Sequence, residues 1–296
     1  MAPRTVHGYA GYVRRYLIPY LGHVQLTRLQ PVQVQQMEAD LRTRMSGTSV
    51  HHCHAILRKA LQDALRLDLV PRNVADSVIA PKMDTPEMRA FTAEELREFL
   101  DAAEGSPFST LFHLAAETGL RRAELCGLKW SDIDLEERTL IVRRTVQRVR
   151  GQGLVVGNPK TEKSRRTVVL GDEVAGKLRR HRVRQAESRL IAGAAWIDLD
   201  HVFTQVDGRP VDPDGVTHTF AAVARGLGMG WAHFHSLRHT HATLLFAEDV
   251  PLKTVSSRLG HSTIGITADL YTHAYKGEQD QAAQAVDRAL QRVSGP

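Results

Sequence analysis

The sequence predicts a mainly α-helical protein that carries a small antiparallel β-sheet. Three observations lead to this fold class. Apolar residues recur at helical spacing through most of the 296 residues, β-branched runs are concentrated between residues 138 and 170, and Pro81 and Pro86 interrupt the helical pattern early in the chain. We therefore expect a helical N-terminal domain over residues 1–80, a linker over residues 81–89, and a larger α+β domain over residues 90–296.

The predicted N-terminal domain is a small helical bundle. Its first helix contains four tyrosines, the second helix follows Pro31, and the third follows Thr48. The apolar faces of these helices are formed by Val6, Tyr9, Val13, Tyr16, Leu17, Val34, Met37, Leu41, Val50, His54, Leu57, Leu61, Ala64 and Leu65. Up to Glu87 there are eleven Lys and Arg against seven Asp and Glu, so this part carries +4 of the net charge of +6.

The larger domain is predicted to begin with a helix capped by Thr92. Glu95 stands at the third helical position, and Phe91 and Leu96 are placed to form a hydrophobic staple. A helical pattern then runs to Leu128, and β-branched runs around glycine-rich turns predict strands over residues 138–149 and 166–170. Further helices are expected at about residues 172–189, 212–227, 235–247, 251–259 and 278–293.

Composition indicates a cytoplasmic chain with a polyanion as the first partner to consider. The longest uncharged apolar run, residues 190–197, is far shorter than the ~18 residues of a membrane span, and the first twenty residues lack the apolar region of a signal peptide. Cys53 and Cys126 are too few for a disulfide framework or a cysteine metal site. The net charge of +6 and the pI of about 9.5 favour an anionic partner.

The first candidate motif is an arginine at a predicted helix start. Arg121 follows a turn that contains Gly119, and Glu124 lies one helical turn further on. This placement aims a guanidinium fork and helix-terminal N–H groups at one anion, while Glu124 can orient the fork. A solvated ion pair on a helix is the alternative interpretation.

The second motif is a histidine-rich helix. His235 and Arg238 are three residues apart, so both face the same way. His235 and His239 also have the spacing of zinc-binding helices, but Ser236 stands where that motif has Glu, which disfavours zinc. A second cluster at residues 51–54 (His-His-Cys-His) is expected to form surface with His54 on the apolar side, because adjacent helical residues cannot all point at one ion.

Two further motifs complete the set. Gly260 ends a predicted helix and is followed by His261, ten residues before Tyr271. Residues 158–166 are predicted to form a basic hairpin tip between two strands, from which Lys160 could reach into a groove; solubilising charge on a turn is the alternative. In the larger domain only Tyr271 and Tyr275 are tyrosines.

In this order, the motifs resemble the tyrosine recombinase (phage integrase) family. They read Thr-Gly-Leu-Arg-x-x-Glu-Leu, a Lys-Thr hairpin, His-x-Leu-Arg-His-Thr, Leu-Gly-His-Ser and a final Tyr-Thr-His. The resemblance covers nearly the whole chain and implies a SAM-like core-binding domain followed by a tyrosine recombinase catalytic domain. Members often carry a further arm-binding domain ahead of the core-binding domain, whose first helix is where this sequence begins. The implied catalytic residues are Arg121, Lys160, His235, Arg238, His261 and Tyr271, with Glu124 as the supporting acid.

The resemblance also implies a reaction: cutting and rejoining of double-stranded DNA through a 3′-phosphotyrosine, with no metal, ATP or other cofactor. Arg121 and Arg238 would hold the phosphate oxygens together with His261, Lys160 would protonate the leaving oxygen, and His235 would accept or relay the phenol proton. It implies a homotetramer on two DNA sites that is monomeric when free, and DNA-bending accessory proteins as possible partners. A tail helix from about residue 277 would dock on a neighbour or fold back.

Three other functions stay open on the sequence alone. A type IB topoisomerase shares the nucleophile and the cations, a non-catalytic DNA-binding relic is disfavoured by the intact residue set, and a metallohydrolase would use the histidine-rich helix. Tyr275, one helical turn after Tyr271, is the rival nucleophile. Basic residues in the helices near residues 48–66 and 209–225 are candidates for contacts with base edges.

Overall fold

The computed structural model describes residues 3–84, 89–158 and 165–261, together with residues 263, 265 and 268. The described chain is mainly helical with small antiparallel β-structure, which confirms the predicted fold class. It divides into two compact units, one that precedes residue 85 and one that contains nearly all residues from 89 onward. Within the described residues, every helix is too short or too polar to cross a bilayer.

The N-terminal unit is a helical bundle, as predicted. Pro31 starts one helix at a position where a missing N–H costs nothing, and the Ser46 side chain accepts a hydrogen bond from the Ser49 N–H at the start of the longest one. The helices are α1 (Pro3–Tyr12), α2 (Ile18–Leu21), α3 (Pro31–Arg42) and α4 (Gly47–Arg66), with 3-10 turns at Leu26–Arg28 and Val74–Ser77.

A π-helical turn at Val13–Leu17 joins α1 to α2 and changes the predicted face of the first helix. A π turn places more residues in one turn than an α-helix does, so the apolar stripe is rotated across it. Val6 is therefore 51% exposed, whereas Leu17 is buried against the core of this unit. The expectation of one continuous apolar face from Val6 to Leu17 was wrong for this reason.

The histidine cluster on α4 separates into different environments. His54 is buried, and its Nδ1 lies 2.7 Å from an Oε1 of Glu38, whose pKa is raised by burial although His54 opposes the shift. Cys53 is buried beside it, His52 is exposed, and Nδ1 of His51 bonds the Pro81 carbonyl at 2.8 Å. The predicted inward position of His54 is confirmed.

The second unit contains seven helices among its described residues. The Thr92 cap is present, because the Thr92 hydroxyl accepts the Glu95 N–H at 3.1 Å and Glu95 accepts the Thr92 N–H at 2.9 Å. The helical pattern up to Leu128 is broken twice, after Ala102 and at Gly119, which has a left-handed φ of 62°. The helices are α5 (Ala93–Ala102), α6 (Ser109–Thr118), α7 (Arg122–Cys126), α8 (Asp172–Ala192), α9 (Pro213–Gly226), α10 (Phe234–Ala247) and α11 (Leu252–Leu259).

The described strands form two small sheets, where the sequence predicted one. The strands are β1 (Ile133–Asp134), β2 (Thr139–Val142), β3 (Thr145–Val149), β4 (Gly153–Gly157) and β5 (Arg166–Val169). The first sheet has the order β1-β2-β5 with antiparallel pairs, and β3 pairs with β4 in the second. The predicted basic hairpin tip over residues 158–166 falls mostly on residues 159–164, which lie outside the described structure.

Helix α6 lies at the centre of the second unit. It packs against α5, α7, α8 and α10, and Phe112 on α6 contacts Phe99, Phe220 and Phe234 with ring centroids 5.7 to 6.2 Å apart. The Thr240 hydroxyl on α10 accepts the Phe91 N–H at 2.9 Å. Helix α6 is therefore enclosed by other helices of this unit, and the candidate site lies at its C-terminal end.

Candidate active site

Arg121 stands at the N-cap position of α7, directly after the turn that ends α6. Its backbone N–H donates to Oε2 of Glu124 at 3.0 Å and its Nη1 donates to Oε1 at 2.8 Å. Glu124 is buried, whereas 38% of the Arg121 side chain is exposed. The predicted arrangement is present: a buried carboxylate fixes the fork while one side of the guanidinium reaches solvent.

Arg238 on α10 is only 3% exposed and links the ends of two helices. Its Nη1 donates to the Gly119 carbonyl at the end of α6, and its Nη2 donates to the Leu259 carbonyl at the end of α11, both at 2.7 Å. Carbonyls at a helix C-terminus carry partial negative charge and stabilise a cation there. Burial and the charge of Arg121 lower the pKa of Arg238 to about 9, so it remains a cation at neutral pH.

The two arginines meet at consecutive peptide carbonyls. Nη2 of Arg121 donates to the Gly260 carbonyl at 3.1 Å, next to the Leu259 carbonyl that Arg238 holds. His261 is the following residue, and its backbone N–H donates to Ser256 at 3.2 Å. Residues from three distant parts of the sequence thus converge at the end of α11, and two cations there can bind one anion.

Only glycine fits at residue 260, because of both its backbone conformation and the space around it. Its φ is +65°, a left-handed value that favours glycine, and a Cβ on it would lie 2.7 Å from Nη1 of Arg166. Gly119 has the same double constraint, since a Cβ there would lie 2.6 Å from the Leu259 side chain and 2.8 Å from His241. Tight packing at both glycines fixes the two turns that carry Arg121 and His261.

The histidines near the two arginines are neutral. Desolvation by the surrounding protein lowers the pKa of His235 to about 3, and electrostatic repulsion from Arg238, and from His239 when that ring is protonated, acts in the same direction. His235 is nevertheless exposed to solvent as a residue. Desolvation and the charges of Arg238 and Arg121 likewise lower the pKa of His261 to about 4. A neutral imidazole can accept a proton or donate a hydrogen bond, as a general base or a phosphate ligand requires.

The zinc alternative gains no support from the described residues. No group of three or more metal-binding side chains occurs among them. His235 and His239 pack edge to face with ring centroids 4.8 Å apart, and Nδ1 of the buried His239 has no hydrogen-bond partner within the described chain. The two rings thus form an aromatic contact between an exposed and a buried histidine.

Five of the seven residues predicted from the sequence therefore lie together within the described structure: Arg121, Glu124, His235, Arg238 and His261. Lys160 and Tyr271 lie outside the described residues, as do the rival Tyr275 and the tail predicted from about residue 277. Their roles stay predictions.

Comparison with known proteins identifies the family. The model of the phage integrase family matches residues 89–278. The chain belongs to the phage integrase family. A tyrosine recombinase XerC-like protein of Caldanaerobacter subterraneus is 32% identical to this integrase family member, over 96% of this chain and 78% of that protein. An integrase of Streptomyces ambofaciens is 28% identical over 98% of this chain and 76% of that protein.

Solved structures show the same fold as this integrase family member. The Tn1549 transposon integrase, in complex with a circular intermediate DNA, matches with a TM-score of 0.81 at 21% identity, over 97% of this chain and 94% of that chain. A lambda integrase dimer bound to a core site matches with a TM-score of 0.67 at 19% identity, over 91% of this chain and 72% of that chain. The resemblance drawn from the sequence motifs is confirmed.

Sequence reasoning missed one arginine of the site in this integrase family member. Arg166, at the start of β5, donates from Nη2 to Oε2 of Glu124 at 2.9 Å and from Nη1 to Oε1 at 3.3 Å. It was expected only as a basic residue at a strand start. Arg165 and Arg166 are adjacent and look alike in sequence, and only the structure distinguishes them: Arg165 is exposed, whereas the Arg166 side chain is buried.

A second missed group supports the turn at Gly119. Nε of Arg258 donates to Nε2 of His241 at 3.2 Å, and Nδ1 of His241 bonds the Ala116 carbonyl at 2.9 Å. Because one ring nitrogen accepts and the other donates, His241 is neutral in this network. Burial and the charge of Arg258 lower its pKa to about 4. The signal in the sequence was the third histidine of the α10 motif.

Proposed function

We propose that this protein is a site-specific DNA recombinase that cuts and rejoins DNA through a covalent 3′-phosphotyrosine, with Tyr271 as the nucleophile. The observation that carries the proposal is the pairing of Arg121 and Arg238 at the consecutive carbonyls of Leu259 and Gly260, beside His261. Two guanidinium groups fixed in this way form a site for the non-bridging oxygens of one phosphodiester.

The proposed reaction exchanges one phosphoester for another. The Tyr271 oxygen attacks phosphorus, the bond to the 5′ oxygen breaks, and that oxygen leaves as a hydroxyl after it takes a proton. His235 accepts the phenol proton, Lys160 protonates the leaving oxygen, and rejoining is the same step in reverse. Because the bond energy is kept in the phosphotyrosine, no ATP is needed.

The arginines stabilise the charge that develops on the phosphate oxygens in the transition state. Loss of either one is expected to reduce the rate about a hundredfold, in line with about 3 kcal/mol for one preorganised donor. We propose that these two cations take the part that a divalent ion takes in other phosphoryl transfers. The enzyme is accordingly expected to keep full activity in a chelator.

We propose that the protein acts on double-stranded DNA as a homotetramer that holds two duplexes and is monomeric when free, with DNA-bending proteins as possible accessories. Lambda integrase has been solved as a tetramer bound to a Holliday junction, which supports this assembly by likeness. In the proposed division, residues 1–80 bind the core site, residues 81–89 link the domains, and residues 90–296 catalyse. Removal of residues 277–296 should spare binding to a single site and weaken pairing of two sites.

The test is a nicked suicide duplex run on a denaturing gel, where loss of the short leaving strand traps the covalent adduct. The cognate site is first selected from random duplexes by recovery of covalent complexes. We expect an adduct with the wild type and with Tyr275→Phe, unchanged by EDTA, and none with Tyr271→Phe. An adduct that survives Tyr271→Phe would refute the assigned nucleophile. A two-site plasmid then separates recombination, which yields rearranged product, from a topoisomerase, which yields relaxation alone.

The role of Lys160 has its own test. Lys160→Ala should lose cleavage of the ordinary duplex but recover it on a duplex with sulfur in place of the bridging 5′ oxygen. A thiolate leaves without a proton, since a thiol pKa of about 8.5 is far below that of an alcohol. Equal loss on both duplexes would contradict a general-acid role.

A further inference from the structure

Two arginines share one carboxylate in the site. Glu124, whose side chain is 2% exposed, accepts the N–H and Nη1 of Arg121 and also Nη1 and Nη2 of Arg166. Burial by itself would raise the pKa of Glu124, but the charge and hydrogen bonds of Arg166, followed by those of Arg121, outweigh it and lower the pKa. The carboxylate is therefore ionised and satisfied from two sides.

Arg166 also holds the end of α11. Its Nε donates to the Arg258 carbonyl at 2.6 Å, and its guanidinium packs where a Cβ of Gly260 would otherwise lie. The side chain is 6% exposed, so it is a buried strut between Glu124 and the turn that precedes His261. Arg121 reaches the same turn from the other side, through the Gly260 carbonyl.

The charges at this place show what Arg166 contributes. Glu124 alone would neutralise Arg121, leaving Arg238 as the one uncompensated cation of the pair. With Arg166 included, the three arginines carry +3 against −1 on Glu124. A buried carboxylate with two cationic partners can orient Arg121 without cancelling its attraction for a phosphate.

We propose that Arg166 is a positioning residue for the cleavage step: it counters Glu124 and fixes the last turn of α11, so that Arg121 and His261 face the same phosphate. The proposal rests on the function proposed above. Since Arg166 is buried, it acts through these neighbours and not by contact with DNA.

The test measures the single-turnover rate of adduct formation on the nicked suicide duplex. Arg166→Ala should slow the rate about a hundredfold, the scale for one preorganised donor. In a Tyr271→Phe background, the affinity for the intact duplex should change by less than about threefold, because Arg166 makes no phosphate contact. Millimolar guanidinium chloride should restore part of the Arg166→Ala rate.

The matched control is Arg144→Ala. Arg144 is also a mostly buried arginine paired with one carboxylate, Asp132, but its partners Asp132 and the Gly127 carbonyl do not belong to the candidate site. Its removal should leave the rate within about threefold of the wild type and unresponsive to guanidinium. A purely structural role for Arg166 predicts that both variants slow alike and that neither is rescued, which would overturn the proposal.

Two further variants test the mechanism where Arg166→Ala does not fold. Arg166→Lys keeps the charge but loses the guanidinium geometry that bonds both Glu124 and the Arg258 carbonyl, and should be slowed about tenfold; a wild-type rate would overturn the positioning role. In a Glu124→Gln background, the added loss from Arg166→Lys should shrink, because there is no buried charge to counter. If the wild type forms no adduct at all, the proposed function fails; if it does and the Arg166 variants match it, only this inference fails.

Discussion

Gly260 is the residue on which the geometry of the candidate site depends most directly. Its carbonyl receives Arg121, its left-handed backbone ends α11, and its missing side chain leaves room for the Arg166 guanidinium. Any larger residue must strain the backbone and move that guanidinium at the same time. The effects of the left-handed backbone and of the close approach of Arg166 can be separated by comparison with another glycine.

Gly260→Ala should be compared with Gly228→Ala. Gly228 has a similar φ of +73° but no atom within 4 Å of its Cβ position, so alanine there meets backbone strain alone, about 1–2 kcal/mol. Gly260→Ala should lose more stability in urea unfolding and at least tenfold in adduct rate, because Arg166 is displaced as well. Equal stability losses and equal rates would contradict the claim that Arg166 occupies the space.

At the residue scale, the sequence predicted the charged groups but not their supports. Glycine turns and helical spacing paired Arg121 with Glu124 and His235 with Arg238, and the family resemblance grouped these pairs with His261. Arg166 and Arg258 were not predicted because their partners lie far away in the chain, at separations of 42 and 17 residues. A local sequence pattern does not indicate such a contact. These supports come from tertiary packing.

At the scale of elements, a buried ion pair holds the corner where the chain leaves the first sheet. Asp132 follows α7 and is 4% exposed, and both its carboxylate oxygens accept from Arg144, between β2 and β3. The Lys129 N–H donates to the same carboxylate at 3.0 Å. Arg144 thus anchors the chain between β2 and β3, where one predicted strand becomes two.

Asp132→Ala should destabilise the second unit by about 3 kcal/mol, because it leaves a mostly buried guanidinium without its partner. The control is Asp172→Asn, which removes the exposed partner of Arg138 and should leave the unfolding midpoint unchanged. Urea unfolding followed by tryptophan fluorescence measures both variants, since Trp130, Trp196 and Trp231 all lie in this unit. Similar midpoints for the two variants would contradict the assigned role of the corner.

Element prediction succeeded where a local cap was present and failed where backbone geometry depended on distant partners. The capping box of Thr92 and Glu95 predicted the start of α5, and Gly260 predicted the end of α11. The π turn in the first helix leaves no signature in residue spacing. Strand β4 was missed because Gly151 just before it and Gly153, its first residue, are typical of a turn, and the strand is evident only from its pairing with β3.

At the scale of the molecule, the buried neutral histidines make folding sensitive to acid. His241 is 6% exposed with a pKa of about 4, against about 6.5 in an unfolded chain. Between these two pH values the unfolded state binds more protons than the folded state. The contribution of neutral His241 to the unfolding free energy is therefore complete above pH 6.5 and is lost as the pH falls toward 4. Glu38 and Glu117, whose pKa values are raised by burial, act in the opposite direction.

Lowering the pH from 7 to 5 should therefore reduce the unfolding free energy of the second unit, with about 2 kcal/mol from His241 alone. His241→Gln removes the titrating group, so its unfolding free energy should vary less with pH even if it is lower throughout. Tryptophan fluorescence in urea at several pH values checks this. Parallel pH curves for the two proteins would show that His241 does not contribute.

The attachment of both guanidinium groups to the peptide carbonyls of residues 259 and 260 has a mechanical consequence. Displacement of the main chain at His261 is transmitted to Arg121 and Arg238 through one or two covalent links, without passing through side-chain packing. If the proposed function holds, a shift of the main chain at residues 259 and 260 would therefore change how both guanidinium groups hold a phosphate.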